Sequence, residues 1–114
     1  MREGLINLPK FDNDGKSLHQ VTEGLLSALT DAFGGVTAID AQGSWKHDGK
    51  LYREPVTQLV VAYDPDSDRD NQVLRNLAVA AGTVTGQLAM YVRYASGEVE
   101  IIEIKQPEAM PAAA

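Results

Sequence analysis

The sequence predicts an α+β fold of the ferredoxin-like kind: an antiparallel sheet, two helices on one face, and an extended β-hairpin. Three observations predict it. Asp48-Gly49 is a two-residue turn signal set between β-rich arms over residues 36–63. Two amphipathic runs have helical spacing, one before the hairpin and one after it. Short apolar segments at both ends complete the order β-α-β-β-α-β-β.

Residues 5–11 read as a first strand, in which Pro9 limits central pairing because it lacks an amide proton. Asp12-Asn13-Asp14-Gly15 is a turn cluster. Ser17 then opens a helix, with Ser17 and Gln20 spaced as a capping box. Leu18, Val21, Leu25, Leu29 and Ala32 form its apolar stripe, widened by Leu26 and Phe33, and Gly34 takes the left-handed C-terminal position. Gly24 costs that helix up to ~1 kcal/mol against Ala, and marks either a close helix–sheet approach or nothing.

In the hairpin the second arm alternates. Leu51, Leu59, Val61 and Tyr63 point one way, and Tyr52, Glu54, Val56, Gln58 and Val60 the other. Gly43 and Pro55 fall nearly opposite each other, which predicts a bulge or an edge and a two-stranded flap over residues 43–55. A solvated acidic loop follows, and Ser67 or Asp68 caps the second helix. Val73, Leu74, Leu77, Ala78, Ala81 and Val84 share one face of that helix, which ends loosely through residues 82–86. Strands over 88–94 and 99–104 flank a Ser96-Gly97 turn. The last strand is partly apolar on both faces, which suits a second cover or a dimer interface. Residues 1–104 read as a single domain and 105–114, rich in Pro and Ala, as a disordered tail.

The chain of 114 residues suits one domain with one core. It has no Cys, hence no disulfide frame, thiolate nucleophile or Cys-based zinc site. The formal net charge of −6 disfavours nucleic acid, whose binders are basic. The expectation is a cytoplasmic protein with no membrane segment and no leader.

Few motifs carry chemistry. His19 and His47 sit in no metal-binding frame, and no metal is expected. The aspartates from Asp64 resemble the start of a calcium loop. Position 6, however, is Arg69 rather than Gly, and position 12 is Arg75 rather than Glu. No phosphate-binding glycine loop or nucleophile elbow is present. The dense polar set lies in the hairpin: Asp40, Trp45, His47, Tyr52, Arg53 and Glu54. Trp45 falls opposite Tyr52, either as a cross-strand staple or as the wall of a pocket. In a pocket, Glu54 would be an acid–base group with a raised pKa and Arg53 an anion anchor, although adjacent strand residues face opposite ways.

The hairpin's stretch from Phe33 to Trp45, with Asp40-Ala41-Gln42-Gly43-Ser44-Trp45 at its centre, and then Asp48 to Pro55, resembles the signature of a family of small bacterial proteins. That signature is Asp-Ala-x-Gly-x-Trp, a short turn, and Arg-Glu-Pro/Ser before an apolar strand. The resemblance covers residues 30–65 and, weakly, 70–95. It implies a compact α+β domain and carries no activity.

The sequence therefore points to a small acidic binding or accessory protein without a cofactor. It is expected to be a homodimer through the uncovered sheet face, as fold analogy suggests. A small-molecule or protein partner would meet Asp40, Trp45, Tyr52, Arg53 and Glu54. Two other readings stay open. One is a small ferredoxin-like enzyme using Glu54 or His47 as acid–base on a small organic substrate. The other is an acidic inhibitor or adaptor of a basic partner.

Overall fold

The computed structural model describes residues 1–105. The expected tail therefore falls almost wholly outside the described residues. The elements are β1 (Arg2–Pro9), α1 (His19–Phe33), β2 (Thr37–His47), β3 (Lys50–Tyr63), α2 (Asp68–Val84), β4 (Ala89–Arg93) and β5 (Val99–Glu103). The sheet order is β2-β3-β1-β4-β5, with every neighbouring pair antiparallel. This is the ferredoxin-like order with one strand added at an edge. Both helices lie on one face. No helix among the described residues is long and apolar enough to cross a membrane.

Alternation divides the sheet into two chemically different faces. Ile6, Leu8, Leu59, Val61 and Val92 point toward the helices and are almost fully buried against Leu25, Leu29, Leu74 and Ala78. The other face carries Leu5, Asn7, Val56, Gln58 and Val60 at its centre and has no helix over it among the described residues. Toward the edges it becomes aromatic and charged: Trp45, Tyr52 and Glu54 on the hairpin, Tyr91 and Arg93 on β4.

Two glycines seat α2 on the sheet. A Cβ on Gly82 would lie 2.6 Å from Met90 Cγ and 2.9 Å from Ile104 Cγ1. A Cβ on Gly4 would lie 2.8 Å from the Arg93 carbonyl oxygen. The helix therefore rests directly on β4 and the chain after β5. Its continuation to Val84 corrects the loose ending expected from residue 82, and Val84 itself is exposed rather than packed.

Helix α1 starts later than the capping box implied. Its N-cap is Leu18, and no side chain caps it. Ser17 pairs with Phe11 in an isolated bridge, and its Oγ accepts from the His19 N–H at 3.2 Å rather than from Gln20. The Leu18 N–H is spent on the Lys10 carbonyl at 2.9 Å, which anchors the helix start to the end of β1. At the other end Gly34 has φ +84° and donates to Thr30, as its position predicts. Ala32, placed in the stripe, is exposed. Gly24 faces open space, so the alternative of a close approach is not the one realised. Ser67 caps α2 by accepting from the Asp70 N–H at 3.2 Å.

The hairpin runs one-for-one from Thr37 opposite Val60 to His47 opposite Lys50. There is no bulge at Gly43 and Pro55, which corrects the expectation. Gly43 faces Glu54, and Pro55 faces Gln42. The physical reason lies in the parity of the ladder. Asp48 and Gly49 both have positive φ, as a type I′ turn requires, so His47 and Lys50 exchange both hydrogen bonds. Alternation then turns the backbone of odd β2 residues toward β3 and that of even residues outward. Pro55, opposite an even residue, turns its backbone toward β1, where its carbonyl accepts from the Lys10 N–H at 3.0 Å. Its missing N–H falls just past the end of β1 and interrupts nothing. Past Pro9, β3 is paired only with β2, so the tip projects as the two-stranded flap the sequence suggested.

Two glycine substitutions test this packing in opposite directions. Gly82→Ala forces Met90 and Ile104 apart and is expected to lower stability by about 1–3 kcal/mol in denaturant titration. Gly24→Ala, into open space on a helix, is expected to raise it by up to ~1 kcal/mol.

Candidate functional site

The hairpin's parity sorts the six polar candidates. Trp45, Tyr52 and Glu54 come together on the helix-free face, whereas Asp40 and Arg53 turn to the helix side. Asp40 accepts from Lys10 Nζ at 2.5 Å. Arg53 is exposed. His47 lies at the flap tip, its Nε2 3.2 Å from Asp48 Oδ2, and both side chains are exposed. It stands roughly 13 Å along the strand from Gly43, which faces Glu54. The structure thus supports Trp45, Tyr52 and Glu54 as one group and separates the rest from it.

The Trp45 and Tyr52 rings stack with centroids 5.6 Å apart and planes at 11°. Lys50 Nζ lies 5.2 Å from the Tyr52 centroid on the same face. Such a pair contributes about 0.5–1.5 kcal/mol beyond area burial, so it staples the flap whatever else it does. It also leaves the Trp45 ring 45% exposed, a flat apolar surface in contact with water.

Glu54 sits one step in from this pair along β3. Across from it is Gly43, with no side chain, flanked by Ala41. On its inner side is the buried Val56. Side-chain size along the ladder thus outlines a shallow saucer, with small residues at its floor, an aromatic rim and the Glu54 carboxylate. Glu54 makes no hydrogen bond or ion pair within the described residues. Burial pushes its carboxyl above the ordinary glutamate value of 4.5. Farther along the same face, Asn7 Oδ1 is buried and has no hydrogen-bond partner among the described residues. Position 7 was a plain strand residue in the sequence, and only its place opposite Gln58 within the sheet buries its amide oxygen.

Sequence reading also missed a polar cluster on the helix side. Arg75 Nε and Nη2 donate to the two Glu100 oxygens at 3.2 and 3.3 Å, and Tyr94 Oη donates to Glu100 at 2.5 Å. The Tyr94 hydrogen bond, then Arg75, holds the Glu100 carboxyl low. Burial, then Glu100, pushes the Tyr94 phenol up. Tyr63 Oη donates to Asn71 at 2.7 Å and accepts from the Ala95 N–H at 3.0 Å. These bonds tie α2 to the β4–β5 turn and engage both oxygens of the Glu100 carboxylate. A concavity of about 560 Å³ lies at the start of α1 beside Lys16 and His19, and its Ser17 and His19 also line a second hollow that reaches Asp40 on the helix side of the hairpin. Its Asp12 and Ser17 oxygens are already engaged by neighbouring backbone N–H groups.

No family model matches the chain, and no curated protein matches it. Two solved structures do. A phage SAM lyase in complex with S-methyl-5'-thioadenosine superposes with a TM-score of 0.70 at 14% identity, covering 93% of this chain and 92% of that one. A phage SAM lyase in its apo state gives 0.67 at 14% identity, covering 93% and 91%. The likeness spans both chains nearly end to end and is one of fold.

The raised Glu54 pKa carries a sign that can be measured. The folded state holds this proton more tightly than the unfolded chain does. Its stabilising share is therefore complete below the ordinary carboxylate range and is lost as pH rises through the raised value. Glu54→Gln is expected to melt at a higher temperature than the wild type at pH 7, with the gap closing as pH falls toward 4.

Proposed function

We propose that this chain is a small enzyme acting on a sulfonium nucleoside of the S-adenosylmethionine type, with its site on the helix-free face around Glu54. The observation that carries the reading is the Glu54 carboxylate itself. It is partly desolvated, has no partner within the described residues, and stands beside a stacked aromatic pair. The fold likeness to a SAM lyase holding S-methyl-5'-thioadenosine supports the substrate class.

The chemistry fits the ligand's parts. S-adenosylmethionine carries a sulfonium and an ammonium, both cations, and a flat purine. A lone carboxylate in a partly apolar setting attracts a cation more strongly than one in open water. The half-exposed indole of Trp45 accepts a cation or a purine ring. In lyase-type cleavage a carbon–sulfur bond breaks and its electron pair stays on sulfur, which turns the sulfonium into a neutral thioether. The carbon fragment then either gives a neighbouring proton to a base, the role Glu54 is placed to fill, or closes on its own carboxylate. Product analysis distinguishes the two.

Binding and turnover test the reading together. Isothermal titration with S-adenosylmethionine and with methylthioadenosine should show binding that quenches Trp45 fluorescence. Affinity for the cationic ligand should rise as pH rises through the Glu54 pKa, because only the ionised carboxylate attracts it. Glu54→Gln should fold, keep most of its affinity for the neutral thioether, and lose cation affinity and turnover by at least about tenfold, since hydrogen bonds to charged groups contribute ~1.5–3 kcal/mol. No binding of either ligand by the wild type contradicts the proposal.

A further inference from the structure

We propose that β2 is a self-pairing edge, by which two copies of the chain join β2 to β2 antiparallel, with Asp40 of each opposite Lys46 of the partner subunit. The two edges of the sheet are built differently. β5 has five residues, two of them Glu. Short length and charge are the usual devices that keep an edge from pairing. β2 has eleven residues, no proline and no bulge. Because odd residues bond to β3, the N–H and C=O groups of Ala38, Asp40, Gln42, Ser44 and Lys46 all point outward, with no strand beyond them among the described residues.

The register follows from charge. Two-fold pairing within one continuous sheet joins residues of the same parity, so a few alignments remain. Centring on Gln42 puts Asp40 against Ser44 and Lys46 against Ala38. Centring on Ser44 puts Asp40 against Asp48, like against like. Centring on Gly43 puts Asp40 opposite Lys46 twice, once on each side of the axis. It joins residues 40–46 of both copies by about eight backbone hydrogen bonds. The charges are available for this. The Asp40 side chain is 86% exposed and holds Lys10 through Oδ1, which leaves Oδ2 free to accept. Lys46 has no ion-pair partner among the described residues and lies on the same side of the sheet as Asp40.

This alignment also completes the saucer. On the helix-free face it sets Ala41 opposite Trp45 of the partner subunit, so each Glu54 gains a second aromatic wall from the other copy. The floor becomes two adjoining glycines, and the two Glu54-bearing strands stand about 14 Å apart, three strand spacings. What the saucer then holds rests on the sulfonium-nucleoside reading, whereas the pairing itself does not.

Sedimentation and native mass spectrometry without ligand test the pairing apart from that reading. Wild type should be dimeric in the micromolar range. Ser44→Pro removes an outward N–H that serves no bond to β3, so it should melt as a folded monomer. Asp40→Lys and Lys46→Asp each place like charges opposite one another twice and should weaken association roughly tenfold or more. Mixing the two variants should recover the dimer as a heterodimer, because opposite charges then face each other at both positions. A monomeric wild type overturns the proposal. So does a dimer indifferent to Ser44→Pro, or a mixture that pairs no better than its components.

Discussion

The positive φ at both Asp48 and Gly49 governs more of this molecule than any other local feature. A two-residue turn of that hand fixes which residues of β2 and β3 face each other, and a slip of one place would send every side chain to the opposite face. From that register follow the stack of Trp45 on Tyr52, the place of Glu54 over a glycine, and the harmless position of Pro55. The outward backbone of β2 follows from it as well. The turn lies at the tip of the flap, yet it sets the chemistry of a face some thirty ångströms long, at ~3.4 Å per residue.

The other constraint is that two helices cover only one face of five strands. Glycines at positions 4 and 82 let α2 lie close against the sheet, and a fully buried set of Ile, Leu, Met and Val fills the layer between them. That packing buries Leu25, Leu29, Leu74 and Ala78 of the helices and leaves Val84 exposed. Leu5, Val56 and Val60 on the far side are buried, while Ile39, Val99 and Ile101 on the same face remain exposed. A face that mixes apolar ground with the partly desolvated Glu54 carboxylate and a buried amide oxygen unmatched among the described residues suits binding better than it suits bulk solvent.

Much of this was legible in the sequence because the signals were local. The Asp-Gly turn, the β-branched arms, the Ser67 cap and the Gly34 stop each act within a few residues, and their reading gave the element order and the Trp45–Tyr52 pairing. What failed was decided at a distance. Ser17 has the right spacing for a capping box, but its bridge to Phe11 and the bond from Leu18 to Lys10 belong to tertiary structure. Gly24 and Gly82 look alike in sequence, and only the approach of Met90 and Ile104 separates them. Of the site, Glu54 could be named from its place beside Tyr52. Asp40 and Arg53 were grouped with it by proximity along the chain, although strand parity sends them to the other face. Asn7 could not be found, since its importance depends on what β3 and β4 set beside it.

The claim that joins these features is that the helix-free face around Glu54 is where a ligand sits. The most direct measurement is an amide and indole chemical-shift map recorded while methylthioadenosine is added to isotope-labelled protein. The account predicts shifts concentrated at Gly43, Trp45, Tyr52 and Glu54, extending toward Asn7, with α1 and α2 unmoved. Shifts centred on the cleft beside Lys16 and His19, or none at saturating ligand, would contradict it.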